Sequence, residues 1–367
     1  MIPRPENPFE VHKQRISKKR DHIERKYGIM YLMEIVFVHL NTPLPKYLMH
    51  NMKHCAAIFP DVSVVLLHNA PVSVAEIPKV KTVLVEPDIR WEELNDLYSH
   101  PKEFRGNFWF TSSARLFALQ FYMETTNREF VHLESDVIVS RDFPFHIFKQ
   151  IKRPLAFPII SNERGVGSVI YVRDQQAAEI LTSTLVSEAK LNSQVTEMIC
   201  LRKVFDLNRN SVQLLPIGPI HAAAYRNIDE EILIELLNAH EKFGGVFDGV
   251  EIGQFFGGTD PRNRRGAMLL RNDLVNGYAK IKDWKLNFDF KRNFANVKFK
   301  NQQTESKVYA LHMPCKDTRF FKSRTQSHRI KQMCSKAESE ATSRIIVFSL
   351  IKAIFNSLVR RLRTKVL

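Results

Sequence analysis

Residues 130–139 read FVHLESDVIV, a run of strand-forming apolar residues that two carboxylates, Glu134 and Asp136, interrupt. Side chains two positions apart on a strand point to the same face of the sheet. If the strand ends here, both carboxylates leave the sheet at its carboxyl edge and can share one cation. Hard divalent ions such as Mg²⁺ and Mn²⁺ bind oxygen ligands, commonly together with substrate phosphates. The stretch therefore predicts a metal–diphosphate site, and the alternative from spacing alone is a strand whose exposed face carries acids.

Strands and helices are expected to alternate on both sides of this stretch. Before it, the pattern predicts strands at 31–40, 62–67 and 80–85 and helices at 46–59 and 108–126. After it, strands are expected at 153–160, 165–172, 211–216 and 308–311, helices at 175–185, 196–205 and 229–240, and an edge hairpin at 284–300. Such alternation predicts an α/β fold with a mostly parallel central sheet and flanking helices, in which ligands bind at the carboxyl ends of strands.

Composition and charge narrow the class of protein. The 367 residues are 44% hydrophobic and 25% charged, which is typical of a soluble globular protein with a substantial core. The formal net charge of +15 favours anionic partners, and its basic excess lies at the two ends of the chain. No basic stripe lies within a recognisable nucleic-acid-binding fold, so nucleic-acid binding is not expected.

Cysteine spacing and apolar runs indicate the compartment. The four cysteines have no spacing typical of a metal site, so we expect reduced thiols in a cytosolic protein: Cys55, Cys200, Cys315 and Cys334. The amino terminus is polar and no run approaches about 18 apolar residues, so neither secretion nor a membrane span is expected.

Four segments are expected along the chain: a basic arm at 1–28, the α/β domain at 29–320, a basic linker at 321–340 and an amphipathic helix at 341–367. The last segment has six basic residues and no acid. Its polar residues fall at steps of three and four, which predicts an in-plane anchor on an anionic membrane surface. The alternative is a helix that docks on the protein's own core.

Four pieces taken together resemble a GT-A-type glycosyltransferase of the nucleotide-diphospho-sugar transferase superfamily. They are the helix that bears Arg115, the motif His132-Leu133-Glu134-Ser135-Asp136, the loop Phe247-Asp248-Gly-x-x-x-Gly253-Gln254, and His312-x-x-x-Lys316. The resemblance implies a GT-A catalytic domain in which Glu134 and Asp136 form an Asp-x-Asp-like metal motif and His312 is a further ligand. Glu134 departs from the commoner first Asp, so Asp136 is the expected direct ligand, and Glu134 could instead act on the ribose or through water. The alternative for His312 is a histidine that is satisfied by hydrogen bonds at a strand end. A histidine ligand favours Mn²⁺ over Mg²⁺.

The resemblance also implies residues that bind the donor. Lys316 is expected to meet the diphosphate, and Arg115 and Ser135 are expected near the nucleotide. The alternatives are a solvated surface lysine for Lys316 and a brace between helix and sheet for Arg115.

An inverting transfer needs a base for the acceptor hydroxyl. The glycine-rich segment 244–263 holds six of the 13 glycines, and Asp248 within it is the first choice because glycine permits close approach. Glu197 is the second expected catalytic residue, and Glu251 and Asp260 are further candidates. Asp248 could instead shape a turn, and Glu197 could be a charge at a helix amino terminus. Residues 260–263 read as a turn, with Arg262 a candidate anion contact.

The expected function is therefore a metal-dependent hexosyl- or N-acetylhexosaminyltransferase that uses a nucleotide sugar, preferably UDP-linked. The acceptor is expected to be a glycan or a glycolipid, as in polysaccharide biosynthesis, and the enzyme is expected to be peripheral at the cytoplasmic face of a membrane. A sugar-phosphate nucleotidyltransferase and an inactive glycan- or nucleotide-binding protein are the alternatives. The first usually has a Gly- and Lys/Arg-rich loop after its first strand, whereas residues 41–45 read NTPLP.

Overall fold

The computed structural model describes residues 33–340, apart from 41–42, 71–76, 78, 87–88, 259 and 261–276. The expected basic arm at 1–28, the amphipathic helix at 341–367 and the candidate anion contact Arg262 lie outside the described residues.

Strands and helices alternate through the first two thirds of the described chain. The strands are β1 (Glu34–His39), β2 (Val64–His68), β3 (Val80–Leu84), β4 (Phe130–Leu133), β5 (Val137–Val139), β6 (Leu155–Phe157), β7 (Ile159–Ser161), β8 (Arg164–Gly165), β9 (Val169–Val172), β10 (Val212–Leu214), β11 (Gly245–Phe247), β12 (Trp284–Asp289), β13 (Phe294–Phe299) and β14 (Ser306–His312). The helices are α1 (Lys46–Ile58), α2 (Ile89–Leu97), α3 (Phe108–Thr126), α4 (Phe145–Phe148), α5 (Gln175–Leu191), α6 (Glu197–Leu207), α7 (Glu230–Phe243), α8 (Glu251–Gly257) and α9 (Ser323–Glu340). Short 3₁₀ helices lie at Arg209–Ser211, Ala222–Ala224, Ile281–Asp283 and Thr318–Phe320.

Seven strands form the main sheet in the order β10-β6-β9-β4-β1-β2-β3. Neighbouring strands are parallel except at β9, which is antiparallel to both β4 and β6. The expected fold class, α/β with a mostly parallel central sheet and flanking helices, is confirmed. Because β4 lies in the middle of this sheet, Glu134 and Asp136 follow directly from a central strand at its carboxyl end.

The strands alternate their side chains between two apolar cores. Val36 of β1 faces a core that includes Phe117 of α3. Its neighbour Phe37 faces the opposite core, which includes Met52 of α1. The two-residue period of a strand therefore leaves both faces of the sheet apolar, and helices cover both of them.

A second sheet connects the carboxyl-terminal part of the chain to the Glu134 motif. It has the order β11-β14-β13-β12, and β5 pairs with β14. In this antiparallel pairing His312 lies opposite Val137. The backbone N–H of Met313 also donates to the carbonyl of Asp136 at 2.8 Å. The end of β14 is therefore fixed beside the carboxylate motif.

The segment expected to be a basic linker, 321–340, is instead largely helix α9, which packs against β12 and β13. The linker interpretation was wrong because it rested on the polar character of the segment. Ile330, Met333 and Cys334 recur at helical spacing and are buried against the domain. Within the residues that the structure describes, no helix is both long enough and apolar enough to span a bilayer.

Candidate functional site

A cavity of about 540 Å³ opens where β1, β4 and β14 end. The first turns of α3, α6 and α8 form its other walls. Its position is the one that an α/β sheet predicts for a ligand, beyond the carboxyl ends of the strands.

Glu134, Asp136 and His312 meet in one wall of this cavity, and each offers a ligand atom within 4.8 Å of the others. The Nε2 atom of His312 lies 3.5 Å from Glu134 Oε2 and 3.4 Å from Asp136 Oδ1. The carboxylate spacing predicted Glu134 and Asp136 as metal ligands and the family resemblance implied His312, and the fold brings the three together.

Backbone contacts fix the orientation of the His312 ring. Its Nδ1 lies 2.6 Å from the carbonyl oxygen of Gly249, which can only accept, so Nδ1 donates a proton. In the neutral ring the lone pair on Nε2 then faces the two carboxylates, as a metal ligand requires. Burial alone would lower the pKa of His312, but the charges of Asp136 and Glu134 outweigh it and raise the pKa to about 10.

The residues present fit a divalent cation. Glu134 Oε2 is buried and accepts no hydrogen bond from any described residue. In the free protein the protonated His312 ring, 3.5 Å away, supplies the positive charge that this buried oxygen requires, and a bound divalent cation would take over that role. One imidazole nitrogen and two carboxylate oxygens are ligands that suit Mn²⁺.

Lys316 is the cation beside this group. Its Nζ lies 3.3 Å from Asp136 Oδ2 and 3.3 Å from Asp260 Oδ2. Although burial opposes the shift, His312 and Lys316 hold the pKa of Asp136 well below its usual value. Asp136 is therefore ionised and available as a ligand at any physiological pH.

Arg115 of α3 joins two carboxylates of the cavity. It donates at 2.6 Å to Glu134 Oε1 and at 2.6 Å to Glu197 Oε2. This geometry explains the orientation of Glu134: one of its oxygens is fixed by Arg115 and the other is left to face His312. Arg115 itself lines the cavity, so contact with a ligand and bracing are both compatible with its position.

Glu197, at the start of α6, lies in the cavity wall with one oxygen available. Its Oε1 is buried without a hydrogen-bond partner within the described residues. Burial raises the pKa of Glu197 to about 7, with Arg115 opposing the rise and Glu134 adding to it. Gly167 provides the space, because a Cβ at that position would lie 2.0 Å from Glu197 Oε1.

The structure does not place Asp248 in the cavity, contrary to its expected role as the base. Its carboxylate is fully buried and accepts from the backbone N–H groups of Ile252 (2.9 Å), Gly253 (2.8 Å) and His312 (3.1 Å). Gly253 permits this packing, since a Cβ there would lie 1.7 Å from the His312 carbonyl oxygen. Asp248 therefore links the first turn of α8 to the end of β14 through hydrogen bonds. This position agrees with the alternative interpretation, in which Asp248 shapes the loop.

The remaining candidates line the cavity. Ser135 has its Oγ 3.4 Å from the hydroxyl of Tyr47. Glu251 accepts from the N–H of Val250 at 3.2 Å, and burial raises its pKa to about 7. Asp260 forms ion pairs with Lys316 and with Arg105.

Sequence reasoning missed Arg105. It precedes α3, lines the cavity, and places its guanidinium 5.0 Å from the ring centre of Phe108. The only local signal was the Gly106-Asn107 pair that follows it, which indicates a turn. Its partner Asp260 is 155 residues away, so no spacing pattern could connect them.

The sequence matches no protein-family model and no curated protein. Among solved structures, the chain is similar to the galactosyltransferase LgtC in complex with donor and acceptor sugar analogs, with 16% identity over 56% of this chain and 83% of that chain and a TM-score of 0.40. It is also similar to the PaToxG glycosyltransferase, with 9% identity over 64% of this chain and 87% of that chain and a TM-score of 0.36. A third similar structure is that of the glycosyltransferase GlyE of Streptococcus pneumoniae TIGR4, with 15% identity over 50% of this chain and 45% of that chain and a TM-score of 0.32. All three of these solved structures are of glycosyltransferases.

Proposed function

We propose that the chain is a metal-dependent glycosyltransferase that moves a hexosyl or N-acetylhexosaminyl group from a UDP-sugar to a glycan or a lipid-linked acceptor. The observation that carries this proposal is the meeting of Glu134, Asp136, His312 and Lys316 in one wall of a cavity of about 540 Å³. Three metal-type ligands beside an ammonium group suit a ligand that has both a metal-binding and an anionic part, as a nucleoside diphosphate has.

In this proposal Asp136 and His312 hold a divalent cation, Mn²⁺ in preference to Mg²⁺, and Glu134 Oε2 completes the protein's ligand set. When bound, the cation supplies positive charge that stabilises the departing diphosphate. Lys316 donates to the diphosphate oxygens from the same wall. Arg115 keeps Glu134 and Glu197 apart and oriented, and Ser135 contacts the nucleotide end of the donor.

Glu197 is the carboxylate that we assign to the acceptor side. A bond forms between the acceptor oxygen and the anomeric carbon as the bond from that carbon to the diphosphate breaks, and the acceptor hydroxyl must release its proton. In an inverting reaction Glu197 Oε1 accepts that proton, and a pKa of about 7 suits this role near neutral pH. Glu251 is the second carboxylate within the cavity wall that could serve.

The test is release of nucleoside diphosphate from a panel of nucleotide sugars, with and without Mn²⁺. We expect turnover with a UDP-sugar that a chelator abolishes and that Asp136→Ala reduces by about 100-fold or more. Asp61→Ala, at an exposed position, is the matched control. Turnover that survives chelation or Asp136→Ala would refute the metal site. Binding of UDP without turnover of any donor would favour an inactive binding protein.

We further propose that residues 341–367, with six basic residues and no acid, associate peripherally with an anionic membrane surface at the cytoplasmic face. Each basic residue near such a surface adds on the order of 1 kcal/mol. Flotation with liposomes that contain anionic lipid should carry the full chain upward and leave a chain truncated after Glu340 behind. Equal flotation of both forms would contradict the proposal.

A further inference from the structure

Two cations of the cavity wall share one carboxylate. Arg105 Nη2 and Lys316 Nζ both pair with Oδ2 of Asp260, the lysine at 3.3 Å. The three side chains are largely buried, at 17% exposed for Arg105, 17% for Lys316 and 8% for Asp260. Lys316 also contacts Asp136, so this ion network begins at the candidate metal ligands and extends along the cavity wall.

On one edge of the Arg105 guanidinium, Nη2 has a hydrogen-bond partner and Nε has none among the described residues. Nε–H and one Nη2–H point the same way and form a fork that matches two oxygens of a phosphate. Asp260 engages Nη2, whereas Nε is buried and has no hydrogen-bond partner in the part of the chain that the structure describes. A buried donor without a partner requires an explanation, and a ligand with two adjacent oxygens would satisfy both positions of the fork.

The backbone that presents Arg105 is held in an unusual conformation. Arg105, Gly106 and Asn107 have φ values of 55°, 68° and 61°, three successive left-handed residues. Such conformations are costly for arginine and are found where the surrounding structure enforces them, often at functional sites. The stacking of the guanidinium over Phe108 and the ion pair with Asp260 keep the side chain in the cavity wall.

We propose that Arg105 is a second cation for the donor's diphosphate, acting with Lys316, and that Asp260 is an internal carboxylate that the diphosphate displaces. In the free protein Asp260 neutralises both cations. When the donor binds, phosphate oxygens replace Asp260 on the fork of Arg105 and on the Lys316 ammonium group. This inference rests on the proposed function for the identity of the anion and assigns to the same site a binding residue and a built-in competitor.

Calorimetry without divalent metal tests the exchange directly, with inorganic pyrophosphate and UDP as the probes. Asp260→Asn should bind both about five- to tenfold more tightly than the unaltered chain, because a like charge no longer competes with the phosphates. Arg105→Ala should bind them about tenfold more weakly, since it loses the charge-assisted fork. Arg105→Lys should fall between, because it keeps the charge and loses the paired donors.

The controls are variants that change charge at the surface. Arg209→Ala breaks the exposed pair with Glu231, and Asp283→Asn breaks the pair with Lys300; neither residue lines the cavity. Thermal unfolding of every variant checks that it folds. If Arg105→Ala binds pyrophosphate as tightly as the unaltered chain does, Arg105 does not bind the diphosphate. If Asp260→Asn binds pyrophosphate more weakly than the unaltered chain does, the diphosphate does not displace Asp260.

The outcomes separate this inference from the proposed function. Metal-dependent turnover of a UDP-sugar that Arg105→Ala and Arg105→Lys leave unchanged would overturn the inference alone. Pyrophosphate binding that follows the predicted order, with no turnover of any nucleotide sugar, would overturn the transferase proposal alone. If neither the unaltered chain nor Asp260→Asn binds either probe, the inference is wrong.

Discussion

The absence of a side chain at Gly167 allows Glu197 to occupy its position in the cavity wall. Gly167 leaves the space that Glu197 Oε1 occupies, and the other oxygen of Glu197 is held by Arg115. The arginine in turn holds Glu134. The positions of the proposed acceptor-side carboxylate, Glu197, and of a candidate metal ligand, Glu134, therefore depend on close packing at a residue that has no side chain.

If Glu197 is the proton acceptor that we propose, Gly167→Ala should lower turnover by about 10- to 100-fold, because displacing such a group by about 1 Å costs on that order. The measurement is release of nucleoside diphosphate under the conditions established for the unaltered chain. Adding Gly167→Ala to Glu197→Ala should then cause little further loss, since neighbouring positions that act through one group are not additive. Fully additive losses would mean that Gly167 acts through something other than Glu197.

Among the elements, the connection from β11 to α8 depends on Asp248. One carboxylate satisfies three backbone N–H groups, two in α8 and one at the end of β14. The same connection supplies the Gly249 carbonyl that fixes the His312 ring. Loss of Asp248 would therefore loosen the candidate metal ligand His312 without removing it.

Asp248→Ala should lower the free energy of unfolding by about 3 kcal/mol or more, because three buried donors lose a charged acceptor. Urea unfolding measures this change. Asp289→Ala is the comparison, since Asp289 accepts from two backbone N–H groups in the more exposed β12–β13 turn and should cost less. A variant that loses turnover while its unfolding midpoint stays unchanged would restore Asp248 as a candidate base.

The sequence supported prediction where the signal was local. The two-residue period of β4 and the spacing of Glu134 and Asp136 predicted a shared face at a strand end, and the helix at Phe108–Thr126 has the expected bounds. The late position of His312 supported the metal site only through the family resemblance. Its approach to the carboxylates depends on the β5–β14 pairing, which no local pattern encodes.

Prediction failed where the deciding partners were backbone groups or distant residues. Asp248 had the right residue type for a base, but its environment of three N–H donors is a property of the fold. Arg105 and Asp260 are brought together by a left-handed turn and a long connection. The sequence of helix α9 resembles a linker because its apolar positions are few among many charges, although they suffice to pack against β12 and β13.

For the molecule as a whole, three buried histidines contribute to the response of stability to acid. Burial lowers the pKa of His54 and His240 to about 4 and that of His132 to about 3, with Arg141 adding to the effect on His54 and Arg115 to that on His132. In the unfolded chain these groups titrate near 6.5. Between about pH 4 and 6.5 these three side chains therefore bind more protons in the unfolded state, and their contribution to stability falls as the pH falls.

We expect each of these histidines to make the free energy of unfolding rise by about 1 kcal/mol per pH unit between pH 5 and 6. The raised pKa values of Glu197, Glu251 and Asp248 act in the opposite direction over the same window. The test is therefore the change in slope that a histidine substitution causes, measured by urea unfolding at several pH values. His240→Gln, which can keep a hydrogen bond to Ser306, should reduce the slope by one such increment, and the exposed His146→Gln should not. An unchanged slope for His240→Gln would refute the assignment.

The antiparallel pairing of β5 with β14 also has a consequence for the order of events during synthesis. Asp136 and His312 are separated by roughly 175 residues, which a ribosome adds in on the order of 10–35 s. During that interval the nascent chain has its acidic motif without the histidine, the lysine or the sheet edge that completes the site. The candidate metal site can therefore form only after β14 has been made, and a chain that is cut short before β14 lacks both His312 and Lys316.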